Sequence, residues 1–136
     1  EQIGIDVLSK EHGYGFCLNV GNPHIVFFVK DCFKIDISEL GPKIENHTLF
    51  PERTNVTFAQ ILDKKNIKVN VWERGAGQTK ACGTAACAVA VSASEKGLAD
   101  QSSNIHFVEG KLQIDYGEEI LMTGPVSGVK KINLDI

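Results

Sequence analysis

The sequence has no C-x-x-C pair among its four cysteines, Cys17, Cys32, Cys82 and Cys87. Neither a zinc site nor a thioredoxin-like redox pair is therefore indicated. No basic stripe interleaved with aromatics runs along the chain, and its formal net charge of -3 is spread over interspersed acids and bases. That excludes the electrostatic footprint of a nucleic-acid binder. No apolar run is long enough to span a bilayer, and no signal peptide opens the chain. Linkers, low-complexity tracts and internal repeats are also missing. The 136 residues are read as one domain, 1–136, with a core of its own. Cysteine usage of this kind fits a reducing, cytoplasmic setting. The first residue is Glu1 rather than Met, which raises the expectation of a piece of a longer protein.

What is present concentrates between Val71 and Ala90. The run Ile67 to Trp72 places apolar residues on alternate positions and reads as a strand. It ends in the charged pair Glu73–Arg74, followed by the small-residue loop Gly75-Ala76-Gly77-Gln78-Thr79. Then come Cys82-Gly83-Thr84 and an alanine-dominated run to Ala93, a helical composition that Lys96 and Gly97 close. A helix apolar all round is a buried helix. Cys82 thus stands at the mouth of a buried helix, where free N–H groups and the helix dipole can receive a carboxylate and where a thiol ionises more readily. The competing reading is a structural cysteine, since free Cys is among the most buried residue types. Cys87, deeper in the helix, takes that structural reading, and the two thiols point apart.

Around this stretch the chain reads as many short strands. Ile3–Leu8 and Phe16–Val20 are expected strands, and Ile25–Val29 is continuously apolar, as a strand buried on both faces would be. Asn22 and His24 bracket Pro23 at its end. Pro23 restricts the local backbone and would hold both side chains rigidly, although an ordinary turn explains Gly-Asn-Pro equally well. Asp36–Ile44 is expected to be a short surface helix stopped by Gly41-Pro42, with loop from Glu45 to Pro51. Asn55 opens a strand running to Ile61, where a strand-end cap is the plainer role. Asp63–Asn66 turns the chain into the Ile67 strand. A hairpin is expected over Asn104–Tyr116, with His106 on the surface, and a final strand pair brackets Gly124-Pro125.

Taken together, GNPH at 21–24, NVTFAQ at 55–60, ERGAGQTKACGTAACA at 73–88 and TGP at 123–125 resemble the C-terminal half of diaminopimelate epimerase. The resemblance covers nearly the whole chain. It implies an α/β fold: a barrel of mostly antiparallel strands around a central apolar helix at about 82–96, one of two pseudo-symmetric domains with the active site between them. It also implies inversion at one α-carbon of LL-diaminopimelate to the meso form, without pyridoxal phosphate, other cofactor or metal, by a thiolate–thiol pair. On this chain Cys82 would be the catalytic cysteine and the backbone amides of Gly83 and Thr84 would hold the reacting carboxylate. Arg74, helped by Asn22 and Asn55, would grip the distal carboxylate. Glu73 would touch substrate and, with His24, adjust the cysteine pKa values. Gln78 stands where the family usually has Glu, and Ala85 where Gly is usual.

The implied partners are the small-molecule substrate, the absent N-terminal domain that carries the other cysteine, and a second copy in a homodimer, with no nucleic acid or membrane. The isolated chain is expected to be inactive. Two other readings stay open: an isomerase of the same fold, proline-racemase-like or phenazine-biosynthesis-like, and a non-catalytic carboxylate-binding domain.

Overall fold

A computed structural model describes residues 2–3, 15–79, 82–124 and 128–132, the first and last of these by backbone alone. The strand expected over Ile3–Leu8 lies, beyond Ile3, outside the described residues, as do Lys80 and Pro125. The strands are β1 (Gln2–Ile3), β2 (Gly15–Asn19), β3 (Pro23–Phe28), β4 (Asn55–Asp63), β5 (Asn66–Glu73), β6 (Gly77–Thr79), β7 (Ser102–Phe107), β8 (Gly110–Tyr116), β9 (Ile120–Gly124) and β10 (Gly128–Ile132). Helix α1 (Ile37–Glu45) lies between β3 and β4, and α2 (Gly83–Glu95) between β6 and β7.

All ten strands join one sheet in the order β1-β2-β3-β4-β5-β7-β8-β9-β10, with β6 also on β5. The pairings β3·β4 and β5·β7 are parallel, and each is spanned by one of the helices. The remaining pairings are antiparallel, as tight turns between successive strands allow. The sheet curls into a half-barrel around α2, which touches β2, β3, β4, β7, β8 and β9.

Side-chain alternation on β3 shows how the sheet is filled on both faces. Val26 points to α2 and joins a core with Val69, Val71, Ile105 and Ile114. Ile25 and Phe27 point the other way, into a second core with Val56, Phe58 and the α1 residues Ile37 and Ile44. The continuous apolar run is thus a strand covered on both sides. Helix α2 is buried from Ala85 to Ala93. It ends in a Schellman motif: Gly97, at φ 73°, donates its N–H to the Ser94 carbonyl, and Leu98 donates to Ala93.

Two elements, α1 and β6, differ from the sequence expectation. Helix α1 runs through Gly41-Pro42 instead of stopping there, and it is no bare surface helix: Ile37, Gly41, Ile44 and Glu45 are buried. Gly41 is present because the Trp72 ring lies where a Cβ would be, so the glycine serves packing rather than termination. Glu45, expected in a loop, closes this helix. The small-residue loop after Arg74 contains β6, with Val71 opposite Thr79 and Glu73 opposite Gly77. Three residues are too few to show a period-two pattern.

Strand β4 occupies one edge of β5, so β6 and β7 share the other: β7 takes Asn66–Lys68 and β6 takes Val71–Glu73. The fork leaves a cavity of about 240 Å³ lined by Phe33, Asn70, Gln78, Thr79 and Phe107, among others. Gln78 Nε2 donates to Asn70 Oδ1 (3.0 Å), and Asn70 Nδ2 donates to the Cys32 carbonyl (3.0 Å). This one-directional chain starts at β6 and runs through Asn70, in the middle of β5, where the edge shared by β6 and β7 has no strand partner among the described residues.

Candidate active site

The topology collects five of the expected residues at one end of the sheet. His24 near the start of β3 is in register with Asn55 at the start of β4, because those strands run parallel. Strand β5 runs antiparallel to β4 and pairs Trp72 with Val56, which brings Glu73 and Arg74 to the same end. Asn22 precedes β3 directly. This arrangement follows from one parallel and one antiparallel pairing, not from proximity in sequence.

Hydrogen bonds tie the group together. His24 is 1 % exposed, and its Nε2–H donates to Asn22 Oδ1 at 3.1 Å. Asn55, also 1 % exposed, works as a strut. Its Nδ2 donates to the Pro23 carbonyl (2.9 Å), and its Oδ1 accepts the Arg74 backbone N–H (2.6 Å). One Asn55 amide hydrogen is left over, so a bracing role leaves room for a ligand contact. The Arg74 guanidinium donates through Nη1 to the Glu52 carbonyl (3.2 Å). The half-buried Glu73 side chain makes no hydrogen bond or ion pair to the described residues, while its carbonyl accepts the Ala76 N–H (3.0 Å) in the following turn.

Burial first, and the nearby positive charge of Arg74 second, lower the His24 pKa from 6.5 to about 4. Both disfavour the imidazolium. His24 is therefore a neutral ring near pH 7 and offers hydrogen bonds rather than a charge. With the proton on Nε2, Nδ1 is a lone-pair acceptor, and it is buried without a partner among the described residues. An unsatisfied buried acceptor is costly, so a donor from outside these residues fits it.

Cys82 is the N-cap of α2, with an extended backbone (φ -151°, ψ 109°) and no side-chain capping bond. Its Sγ lies 3.5 Å from Thr84 Oγ1. The Cys82 carbonyl accepts the Ala86 N–H (3.1 Å) and closes the first turn. The amides of Gly83 and Thr84 precede that bond and have no helical carbonyl to bond. No acidic side chain occupies the first turn, so the site keeps its preference for an anion. At Gly83 a Cβ would stand 3.1 Å from Met122 Sδ, so glycine lets β9 close over the start of the helix. No hydrogen bond among the described residues joins Cys82 to His24 or Glu73.

Cys87 and Cys32 are both buried. Burial pushes Cys87 up to about 12 and Cys32 up to about 11, so both stay protonated and inert at neutral pH. Among the described residues no two cysteines are joined in a disulfide. Among the described residues, no three His, Cys, Asp or Glu side chains converge as metal ligands would. No described helix is long and apolar enough to cross a membrane.

The family model for diaminopimelate epimerase matches residues 16–129. The chain belongs to the diaminopimelate epimerase family. It is 53 % identical over 134 residues to the diaminopimelate epimerase of Pelagibacter ubique, covering 97 % of this chain and 49 % of that protein. The enzyme of Moorella thermoacetica is 46 % identical over 87 % of this chain and 43 % of its own length. That of Bacteroides thetaiotaomicron is 50 % identical over 82 % and 43 %. The chain thus spans about half the length of the curated relatives it matches. Among solved structures, a PhzF-family phenazine biosynthesis protein of Enterococcus faecalis superposes with a TM-score of 0.61 at 13 % identity, covering 79 % of this chain and 42 % of that one. Its Bacillus anthracis counterpart gives 0.55 at 20 % over 79 % and 38 %. These likenesses show the α/β half-barrel of the diaminopimelate epimerase fold.

Sequence reasoning passed over Glu45, which lies beneath the Glu73–Arg74 turn. One signal was available: a carboxylate in the last turn of a helix opposes the helix dipole, so other groups must satisfy it.

Proposed function

We propose that this chain is the Cys82-bearing half of a cofactor-independent amino-acid epimerase that interconverts LL- and meso-diaminopimelate, a step of lysine and peptidoglycan precursor synthesis. The observation that carries the reading is the pairing of two features. One is a thiol at the mouth of a buried helix with free amides. The other is a polar cluster of Asn22, His24, Asn55 and Arg74 at one end of the sheet. The relatives at 46–53 % identity bear the epimerase name, whereas the phenazine proteins at 13–20 % share the fold alone.

In this reading the reacting carboxylate docks on the Gly83 and Thr84 amides. Its α-carbon then stands near Cys82 Sγ. In the LL direction the Cys82 thiolate takes the α-proton and becomes a thiol. A protonated cysteine of the other half delivers a proton to the opposite face and becomes a thiolate, so one proton leaves and one arrives. The helix N-terminus lowers the cost of the negative charge that builds on the carboxylate as the C–H bond breaks. Arg74 holds the distal carboxylate, with Asn22 and the spare Asn55 N–H beside it. Glu73 meets the substrate amine, and neutral His24 accepts a hydrogen bond at Nδ1. With one cysteine in place the isolated chain lacks a proton donor for the second face and does not turn over.

A substrate panel tests the assignment. The enzyme carrying both halves should exchange the α-proton of LL-diaminopimelate and leave L-lysine, which lacks the distal carboxylate, and L-proline untouched. Equal exchange of L-lysine would remove Arg74 from its role, and preference for L-proline would move the protein to the racemase relatives.

A further inference from the structure

We infer that Glu45 is a positioning residue for substrate recognition, acting through the turn that carries Glu73 and Arg74. The inference rests on the proposed grip of Arg74 on the distal carboxylate. Glu45 is 5 % exposed and sits at the end of α1, far in sequence from the turn. Its Oε1 accepts the Trp72 indole N–H at 2.9 Å, and its Oε2 accepts the Gly75 backbone N–H at 3.0 Å. Those donors are the residues immediately before and after Glu73–Arg74. Oε2 also meets Arg53 Nη1 at 3.2 Å, two residues ahead of Asn55.

A packing role alone does not explain these bonds. A helix-end carboxylate is disfavoured by the dipole and by burial, and it is kept here with three donors that all belong to the neighbourhood of Arg74. Two bonds from one carboxylate tie the Trp72 indole to the Gly75 backbone N–H and so restrain the turn that carries the two intervening side chains. Gly75 and Gly77 both have positive φ, 77° and 87°, so the turn has little side-chain packing of its own to restrain it. Asn55 holds the Arg74 amide itself. Arg74 is thus braced by two residues, and Glu45 is one of them without touching substrate.

A double-mutant cycle in the enzyme carrying both halves tests this, read as KM and kcat for LL-diaminopimelate. Glu45→Gln keeps the shape but turns one acceptor into a donor facing a donor. It should raise KM roughly tenfold, the scale of one hydrogen bond to a charged group, with kcat within about threefold. In an Arg74→Ala background the same change should leave KM where Arg74→Ala put it. An equal further rise in that background, or an unchanged KM in the single variant, overturns the inference. Arg53→Gln, at an exposed position, offers a second cycle if Glu45→Gln does not fold, with a smaller rise that must also vanish beside Arg74→Ala. If Arg74→Ala itself leaves KM unaltered, the functional reading fails and this inference falls with it.

Discussion

His24 is the residue whose environment says most about conditions of use. Its pKa falls from 6.5 to about 4 on folding, so between those values the unfolded chain binds a proton that the folded chain refuses. Stability therefore declines as pH drops through 6.5 and levels off below about 4, and it is intact above 6.5. The full loss amounts to about 3 kcal/mol. Urea midpoints measured from pH 7.5 to 4 should show this slope, and His24→Gln should flatten it. An unchanged slope would mean the ring is not buried neutral. Asn55 presents a second residue-scale case. Asn55→Ala strands the Pro23 carbonyl and the Arg74 amide and should cost about 3 kcal/mol in chemical denaturation. Gln78 shows how a departure from the family pattern can be locally consistent. It donates to Asn70 Oδ1, whose own amide donates onward to Cys32. Glu at 78 has no N–H to give, and flipping Asn70 would turn its oxygen toward the Cys32 carbonyl. Gln78→Glu should therefore lower stability by about 1–2 kcal/mol.

At the scale of elements, the alanine-rich helix and the buried strand β3 could be read from the chain because composition and burial there agree: a segment apolar on every side has one place to go. The Glu73–Arg74 pair and Cys82 stood out for a similar reason, being polar groups set against runs that are otherwise apolar. Helix α1 could not be bounded the same way. Gly41-Pro42 carries the local signature of a stop, yet Trp72, thirty-one positions on, supplies a surface that the helix packs against through Gly41, and tertiary contact overrides the local signal. Gly41→Ala should test that balance. Alanine favours a helix by about 1 kcal/mol, but its methyl collides with the indole, and the net change should be a destabilisation of about 1–3 kcal/mol. A more stable protein would show that Trp72 is free to move aside. Strand β6 was hidden because three residues carry no period, and Glu45 because its partners are distant in sequence.

At the scale of the whole molecule, the chain spans about half of each curated relative, and in the proposed function its candidate base Cys82 needs a counterpart across the substrate. An epimerase must handle both faces of a carbon, and in the proposed function α2 presents a thiol to one. Activity is therefore expected only of the two halves together. The decisive measurement is incorporation of deuterium at Cα of LL-diaminopimelate in heavy water, followed by NMR. It should be made with the chain alone, with the chain plus a separately made N-terminal half, and with Cys82→Ala in that mixture. Exchange is expected in the mixture alone, reduced by about 10²–10⁴-fold in Cys82→Ala. Exchange by the isolated chain at a comparable rate, or full activity of the Cys82→Ala mixture, would contradict the proposed function.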